Sequence, residues 1–168
     1  MILRHGLMVR GASFRLYYPR PRSAESAAAP HYARNHLAFF RGFRFGPRNE
    51  EVDLVLFLNG LPLATIELKT DTTQNIEDAV QQYRFDRLPI DRVARQPEPL
   101  LSFGKRALVH FAVSTDEVRM ATQLAGAATT FLPFNRGHNF GKGNPPNPQG
   151  HKTAYLWEEI LTRQSVAN

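Results

Sequence analysis

Asp53 and the triplet Glu67-Leu68-Lys69 are the residues of this chain whose types and spacing could do chemistry. Two carboxylates supply hard oxygen ligands for one or two divalent ions such as Mg²⁺, and the backbone carbonyl of Leu68 adds a further oxygen donor. An ion held there lowers the pKa of a bound water and clamps a phosphodiester. The ammonium of Lys69, two residues beyond Glu67 and so on the same side of a strand, would orient that water or neutralise charge developing on the phosphate. The same pattern also describes a plain strand ending in Glu-x-Lys with a cross-strand ion pair, worth only about 0.5 kcal/mol. Which description applies depends on the elements that carry the residues.

Thirteen residues lie between Asp53 and Glu67, and they read as two apolar strands, 51–58 and 61–70, joined at Asn59-Gly60, a strong hairpin signal. A strict two-residue loop would set Asp53 opposite Ile66 and put the two carboxylates on opposite faces of the sheet. A three-residue loop with Gly60 left-handed, or an equivalent bulge near Pro62, makes Asp53, Thr65, Glu67 and Lys69 co-facial. Pro62 cannot donate a ladder hydrogen bond and prefers bulges, so the bulged register is predicted. Leu54, Leu56, Leu58, Ile66 and Leu68 then form the opposite face. The helix expected over 75–87 carries Ile76, Ala79, Val80 and Tyr83 on one stripe, stops near Pro89, and is assigned to cover that leucine face. Gln82 and Asp86, one turn apart on its flank, either reach toward the carboxylates or solvate the helix.

The remaining segments place fewer constraints on chemistry. Residues 35–45 carry four phenylalanines and read as a strand whose rings are core, although rings so clustered would also suit nucleic-acid stacking. Strands are expected at 106–113 and 118–122, a loop at 135–150, and a short helix at 153–163 carrying Trp157, the single tryptophan. The GKG of 141–143 is no phosphate-binding loop, because neither Ser nor Thr follows Lys142 and Arg136 stands where the first Gly belongs. Six scattered histidines show no metal-binding spacing, and with no cysteine there is no disulfide, thiolate zinc site or cysteine nucleophile. The 168 residues suffice for one domain with a full core, and 21 Lys and Arg against 15 Asp and Glu give +6, which favours a polyanionic partner. No apolar run is long enough to span a bilayer and Met1-Ile2-Leu3 opens no signal peptide, so a cytoplasmic protein without a membrane partner is expected.

The stretch from Asp53 to Lys69, DLVLFLNGLPLATIELK, closely resembles the nuclease core of the restriction (motor) subunit of type I restriction-modification enzymes. Arg4-His5-Gly6, Phe14-Arg15-Leu16, Tyr32-Ala33-Arg34-Asn35, DAVQQYRFDR at 78–87, RALVHFAV at 106–113, FLPFNRG at 131–137, GNPPNP at 143–148 and TAYLWEEIL at 153–161 are similar to further segments of that amino-terminal region. The resemblance covers nearly the whole chain. It implies an α/β fold of the PD-(D/E)xK nuclease superfamily, a restriction-endonuclease-like central mixed sheet flanked by helices, with residues 1–168 as a single nuclease domain.

It further implies Mg²⁺-dependent cleavage of double-stranded DNA, with Asp53, Glu67 and Lys69 as the catalytic triplet and Asp53, Glu67 and the Leu68 carbonyl as metal ligands. Val52 stands where the superfamily name has Pro. Gln82 is the counterpart of the glutamine in a supporting Gln-x-x-x-Tyr motif; Asp86 stands where that motif has Tyr, and Tyr83 is the candidate replacement ring. The implied partners are DNA, the modification and specificity subunits, and the subunit's own helicase domains, which hydrolyse ATP. No Walker A loop occurs in this chain, which is therefore expected to be an excised nuclease domain that also lacks an upstream helix. The alternative function is a non-cleaving DNA-binding or assembly module of the same subunit, inactive without motor and partner subunits.

Overall fold

The computed structural model describes residues 5–70 and 74–168. Arg4 of the Arg4-His5-Gly6 segment lies outside the described residues. Two short exposed strands, β1 (Leu7–Val9) and β2 (Ala12–Phe14), form a separate hairpin, and α1 (Ala29–Ala33) precedes the main sheet. The main sheet holds β3 (Leu37–Phe45), β4 (Glu50–Leu58), β5 (Leu61–Leu68), β6 (Val109–Val113), β7 (Val118–Ala121) and β8 (Leu132–Pro133), in that spatial order. All neighbours are antiparallel except β5 and β6, which run parallel. A parallel pair needs a crossover, and here it contains α2 (Ile76–Gln81) continued by one π-helical turn, Gln82–Asp86. The result is the mixed α/β sheet of a restriction-endonuclease-like fold.

The β4–β5 hairpin has the predicted bulge, reached by a different route from a longer loop. Asn59 (φ 50°) and Gly60 (φ 82°) form a tight two-residue turn that keeps Leu58 opposite Leu61 and Phe57 opposite Pro62. The register then slips, so that Leu56 faces Ala64 and Leu54 faces Ile66, with Leu63 as the extra residue beside Pro62. Two left-handed residues match the twist of the strands, and the proline, lacking an N–H, sits where the ladder breaks. Continuing that register puts Asp53 opposite Glu67.

The helix starts at Asn75 because its side chain accepts the N–H groups of Glu77 (2.8 Å) and Asp78 (3.2 Å), while Asp78 accepts the Asn75 N–H (2.7 Å), a reciprocal cap. Its stripe packs on the face opposite to the one assigned from sequence. Ile76, Ala79 and Val80 meet Ala112, and Tyr83 packs with Val55, so the helix covers the face that carries Thr65 and Glu67. The leucine face is instead covered from the carboxyl end: Tyr155, Leu156 and Leu161 pack on Leu56, Ala64, Ile66, Phe111 and Val113. The physical reason is chirality. A strand–helix–parallel strand crossover takes one hand as a rule, so handedness rather than apolarity selects the face its helix covers. Leu68, assigned to that covered face, is 38% exposed at the strand end.

The helix expected at 153–163 is a π-helical turn, Leu156–Ile160, followed by α3 (Arg163–Val166), whose first turn is capped by the Thr162 hydroxyl at 3.2 Å from the Ser165 N–H. Of the four rings in 35–45, Phe43 and Phe45 join the core, whereas Phe39 and Phe40 stay half-exposed on the edge strand. Among the described residues no helix is long and apolar enough to cross a membrane.

Candidate active site

Strand β5 carries Glu67 at its carboxyl end, and the pleat that sends Ile66 into the apolar layer sends Thr65, Glu67 and Lys69 to the other side. At Leu68 the ladder to β4 has ended, and the Asp53 carboxylate takes the place of a backbone partner: its Oδ2 accepts the Leu68 N–H at 2.7 Å. One Asp53 oxygen is thus committed to fixing the end of β5. Lys69 is anchored from the other side, where its N–H donates to the Val113 carbonyl at 2.8 Å.

Glu67 is 1% exposed, and a buried carboxylate persists only with a partner. Arg87 provides it, with Nε 2.7 Å from Glu67 Oε1. Burial pushes the Glu67 pKa up to about 7; Arg87 pulls it down, and Asp53 raises it again through its charge and a shared hydrogen bond. The two carboxyl groups therefore crowd one another. Next along the same face, the Thr65 hydroxyl bridges the Tyr83 hydroxyl (2.9 Å) and Nδ1 of His110 (2.7 Å), all three side chains being buried. Burial lowers the His110 pKa to about 4 and raises that of Tyr83 well above its ordinary value.

Of the five sequence-assigned residues, the structure sets Asp53 and Glu67 against one another at the end of β5 and brings Lys69 together with Gln82 of the π turn in a cleft that neither carboxylate lines. Lys69 and Gln82 line a cleft of about 310 Å³ with Gln74, Asp78, Phe85 and Asp86. Asp53 and Leu68 line another, of about 470 Å³, with Arg41, Gly42 and Glu51. A cleft of about 490 Å³ between β3 and residues 91–100 contains none of the five. Gln82 Oε1 is buried and has no hydrogen-bond partner among the described residues. An amide oxygen left so is an acceptor waiting for a donor.

Arg87 was not assigned from sequence, although a signal existed. The stripe Ile76, Ala79, Val80, Tyr83 continues by another helical turn to position 87, and a charged residue on a buried stripe asks for a buried partner.

The donor set can be tested against a metal on its chemistry. Among the described residues no three of His, Cys, Asp and Glu cluster, so the oxygens available are those of Asp53, Glu67 and nearby backbone. Two carboxylates fit Mg²⁺, which binds through one or two of them and keeps several waters. Burial lifts Glu67 toward protonation and the Asp53 charge adds to it, and a bound divalent ion would offset both.

Comparison with known proteins gives one family. A family model described as "Type I restriction enzyme R protein N terminus" matches residues 29–129, more than half of the chain and the whole of the hairpin and crossover just described. No curated protein and no solved structure matches the chain.

Proposed function

The chain belongs to the family of type I restriction enzyme R protein N termini, and from that premise we propose that it is a single Mg²⁺-dependent endonuclease domain that hydrolyses phosphodiesters of double-stranded DNA. The observation that carries this reading is the juxtaposition of the Asp53 and Glu67 carboxylates just beyond the last pair of the β4–β5 ladder, with Lys69 and Gln82 in a neighbouring cleft.

In this reading Asp53 and Glu67, with the Leu68 carbonyl, hold the divalent ion. When bound, that ion supplies Lewis-acid activation of a water and a clamp on the scissile phosphate. The protein's own groups do the rest. Asp53 is held in place by the Leu68 N–H, so it presents its second oxygen without reorganisation. Lys69 is backed by its backbone bond to β6 and places a compact positive charge where charge develops on the phosphate as water adds and a P–O bond breaks. Gln82 offers an unpaired amide oxygen to the water, and the Thr65–Tyr83–His110 chain fixes the floor of the site without supplying a free base. The net charge of +6 suits DNA, while the modification and specificity subunits, the ATP-hydrolysing helicase domains and a cytoplasmic setting complete the proposal.

A second reading, a non-cleaving DNA-binding or assembly module, is favoured by one observation: Glu67, paired with Arg87 and pushed to about 7, is a poorly ionised ligand near neutral pH. Cleavage of supercoiled and linear plasmid in Mg²⁺, with Ca²⁺ as control, separates the readings. Cleavage by the unmutated chain that falls at least ~100-fold in both Lys69→Ala and Asp53→Ala, with DNA retention kept in Lys69→Ala, supports the nuclease. DNA retention without any cleavage by the unmutated chain supports the module.

A further inference from the structure

Arg87 reaches Glu67 through a specific piece of local structure. The Arg87 N–H donates to the Gln82 carbonyl at 2.8 Å, a five-residue reach that closes the π turn. π turns widen a helix and re-aim the residues after them, and they recur at functional sites. Tyr83 and Arg87 lie four residues apart along the helix, about 6 Å at an ordinary rise. Thr65 and Glu67 lie two apart on β5, about 6.6 Å. The spacings match, so the crossover is fastened to the strand at two points, Tyr83 to Thr65 (2.9 Å) and Arg87 to Glu67 (2.7 Å).

The Arg87–Glu67 pair gives little reason for itself as a stabiliser. Bringing both charges out of water offsets most of their attraction, and an apolar pair of similar volume would commonly serve the fold as well. What the pair does supply is direction. A guanidinium Nε–H fixes one carboxylate oxygen along a defined line, and groups that bond a metal-ligating carboxylate from behind orient it and tune its affinity. Glu67 sits between such a donor and Asp53.

Resting on the nuclease reading above, we propose that Arg87 is a positioning residue: it holds Glu67 Oε1 so that the carboxylate is fixed against Asp53, and so sets the divalent-cation affinity of the pair. Arg87 does not touch DNA in this role, and the π turn exists to deliver it. Because the same turn carries Gln82 and Arg87 hydrogen-bonds its carbonyl, the two placements are coupled.

The test is Mn²⁺ binding to the whole chain, followed by calorimetry and by electron paramagnetic resonance at mildly alkaline pH, for the unmutated protein, Asp53→Ala, Arg87→Met and Arg87→Lys. Met approximates the packing of the arginine stem, so it keeps the fold where an alanine variant would not; thermal melts check this. Arg87→Met is expected to weaken Mn²⁺ binding about 10- to 100-fold. Arg87→Lys should restore part of the loss, since it returns the charge without the directed N–H. Mn²⁺ affinity unchanged or tightened in Arg87→Met, with binding still lost in Asp53→Ala, overturns the positioning role and leaves the site reading standing. Mn²⁺ binding insensitive to Asp53→Ala overturns both.

Discussion

The two faces of the central sheet solve different problems with the same strands. Toward the carboxyl-terminal segment, Leu56, Ala64, Ile66, Phe111 and Val113 meet Tyr155, Leu156 and Leu161, an apolar layer whose burial is its own explanation. Toward the crossover helix, the alternate residues of the same strands bury Thr65, Glu67 and His110, and the helix answers with Tyr83 and Arg87. Each polar group there has to find a partner, and the partners are specific. In the nuclease reading proposed above, these requirements, taken on within a residue of an ordinary hydrophobic layer, serve the chemistry, so that the crossover face is the candidate site and the other its foundation.

The comparison can be broken most severely on the foundation. Leu156 is fully buried against β4 and β5, and Leu156→Ala should lower stability by about 2–5 kcal/mol through lost burial and the cavity left behind. Chemical denaturation would measure it, and Mn²⁺ affinity of the folded fraction should stay unchanged. A Leu156→Ala protein as stable as the parent would mean that the segment is not seated on the sheet as described.

Titration sharpens the contrast, because it acts on the crossover face and leaves the other untouched. Glu67 is raised from 4.5 to about 7 in the folded chain, so between those pH values the folded state binds the extra proton and stability falls as pH rises. His110 works with the opposite sign: lowered from 6.5 to about 4, it is neutral when folded and charged when unfolded, and stability is lost as pH falls below 6.5. In metal-free buffer the two slopes oppose one another between about 4.5 and 6.5, and above that window only the Glu67 slope remains. Glu67→Gln removes that slope. Its effect should be largest above pH 7, where the parent carries a penalty of roughly 3 kcal/mol for the ionised group. Melts from acid to mildly alkaline pH in EDTA read this directly, and a parent curve that rises through pH 7 would contradict the burial assigned to Glu67.

How much of this was legible beforehand differs between the faces in the same way. The hairpin, its bulge and the co-facial carboxylates followed from Asn59-Gly60, Pro62 and the period of two, because turn chemistry and pleat are local. The apolar stripe of the helix was equally plain. The face it would cover was not, since crossover handedness is a property of the connection and leaves no mark in hydrophobic pattern. Arg87 and the π turn were missed for a related reason: a template of 3.6 residues per turn counts only apolar residues on the stripe, and one residue of widening is invisible to it. The orphaned oxygen of Gln82 was likewise beyond reach, since it is a fact of packing.

The finest division between the faces falls between two adjacent residues of β5. Ile66 points into the apolar layer, and Ile66→Val should remove one methyl group's worth of contact, about 0.5–1.5 kcal/mol. Thr65 points the other way, and Thr65→Val keeps nearly the same shape while deleting the oxygen that Tyr83 and His110 share. Both partners are fully buried, so neither can turn to bulk water. An unsatisfied buried polar group costs about 1–3 kcal/mol, and the added methyl returns only part of that, so the net loss should be near 1–2 kcal/mol although no volume has been removed. The two substitutions thus have similar size and opposite origin: a shape defect on one face, a hydrogen-bonding defect on the other. Paired denaturation curves distinguish them when His110→Phe is added, because removing one of the two stranded polar partners should recover stability in the Thr65→Val background and in that background alone. Recovery beside Ile66→Val as well would mean that the two faces are not separate systems.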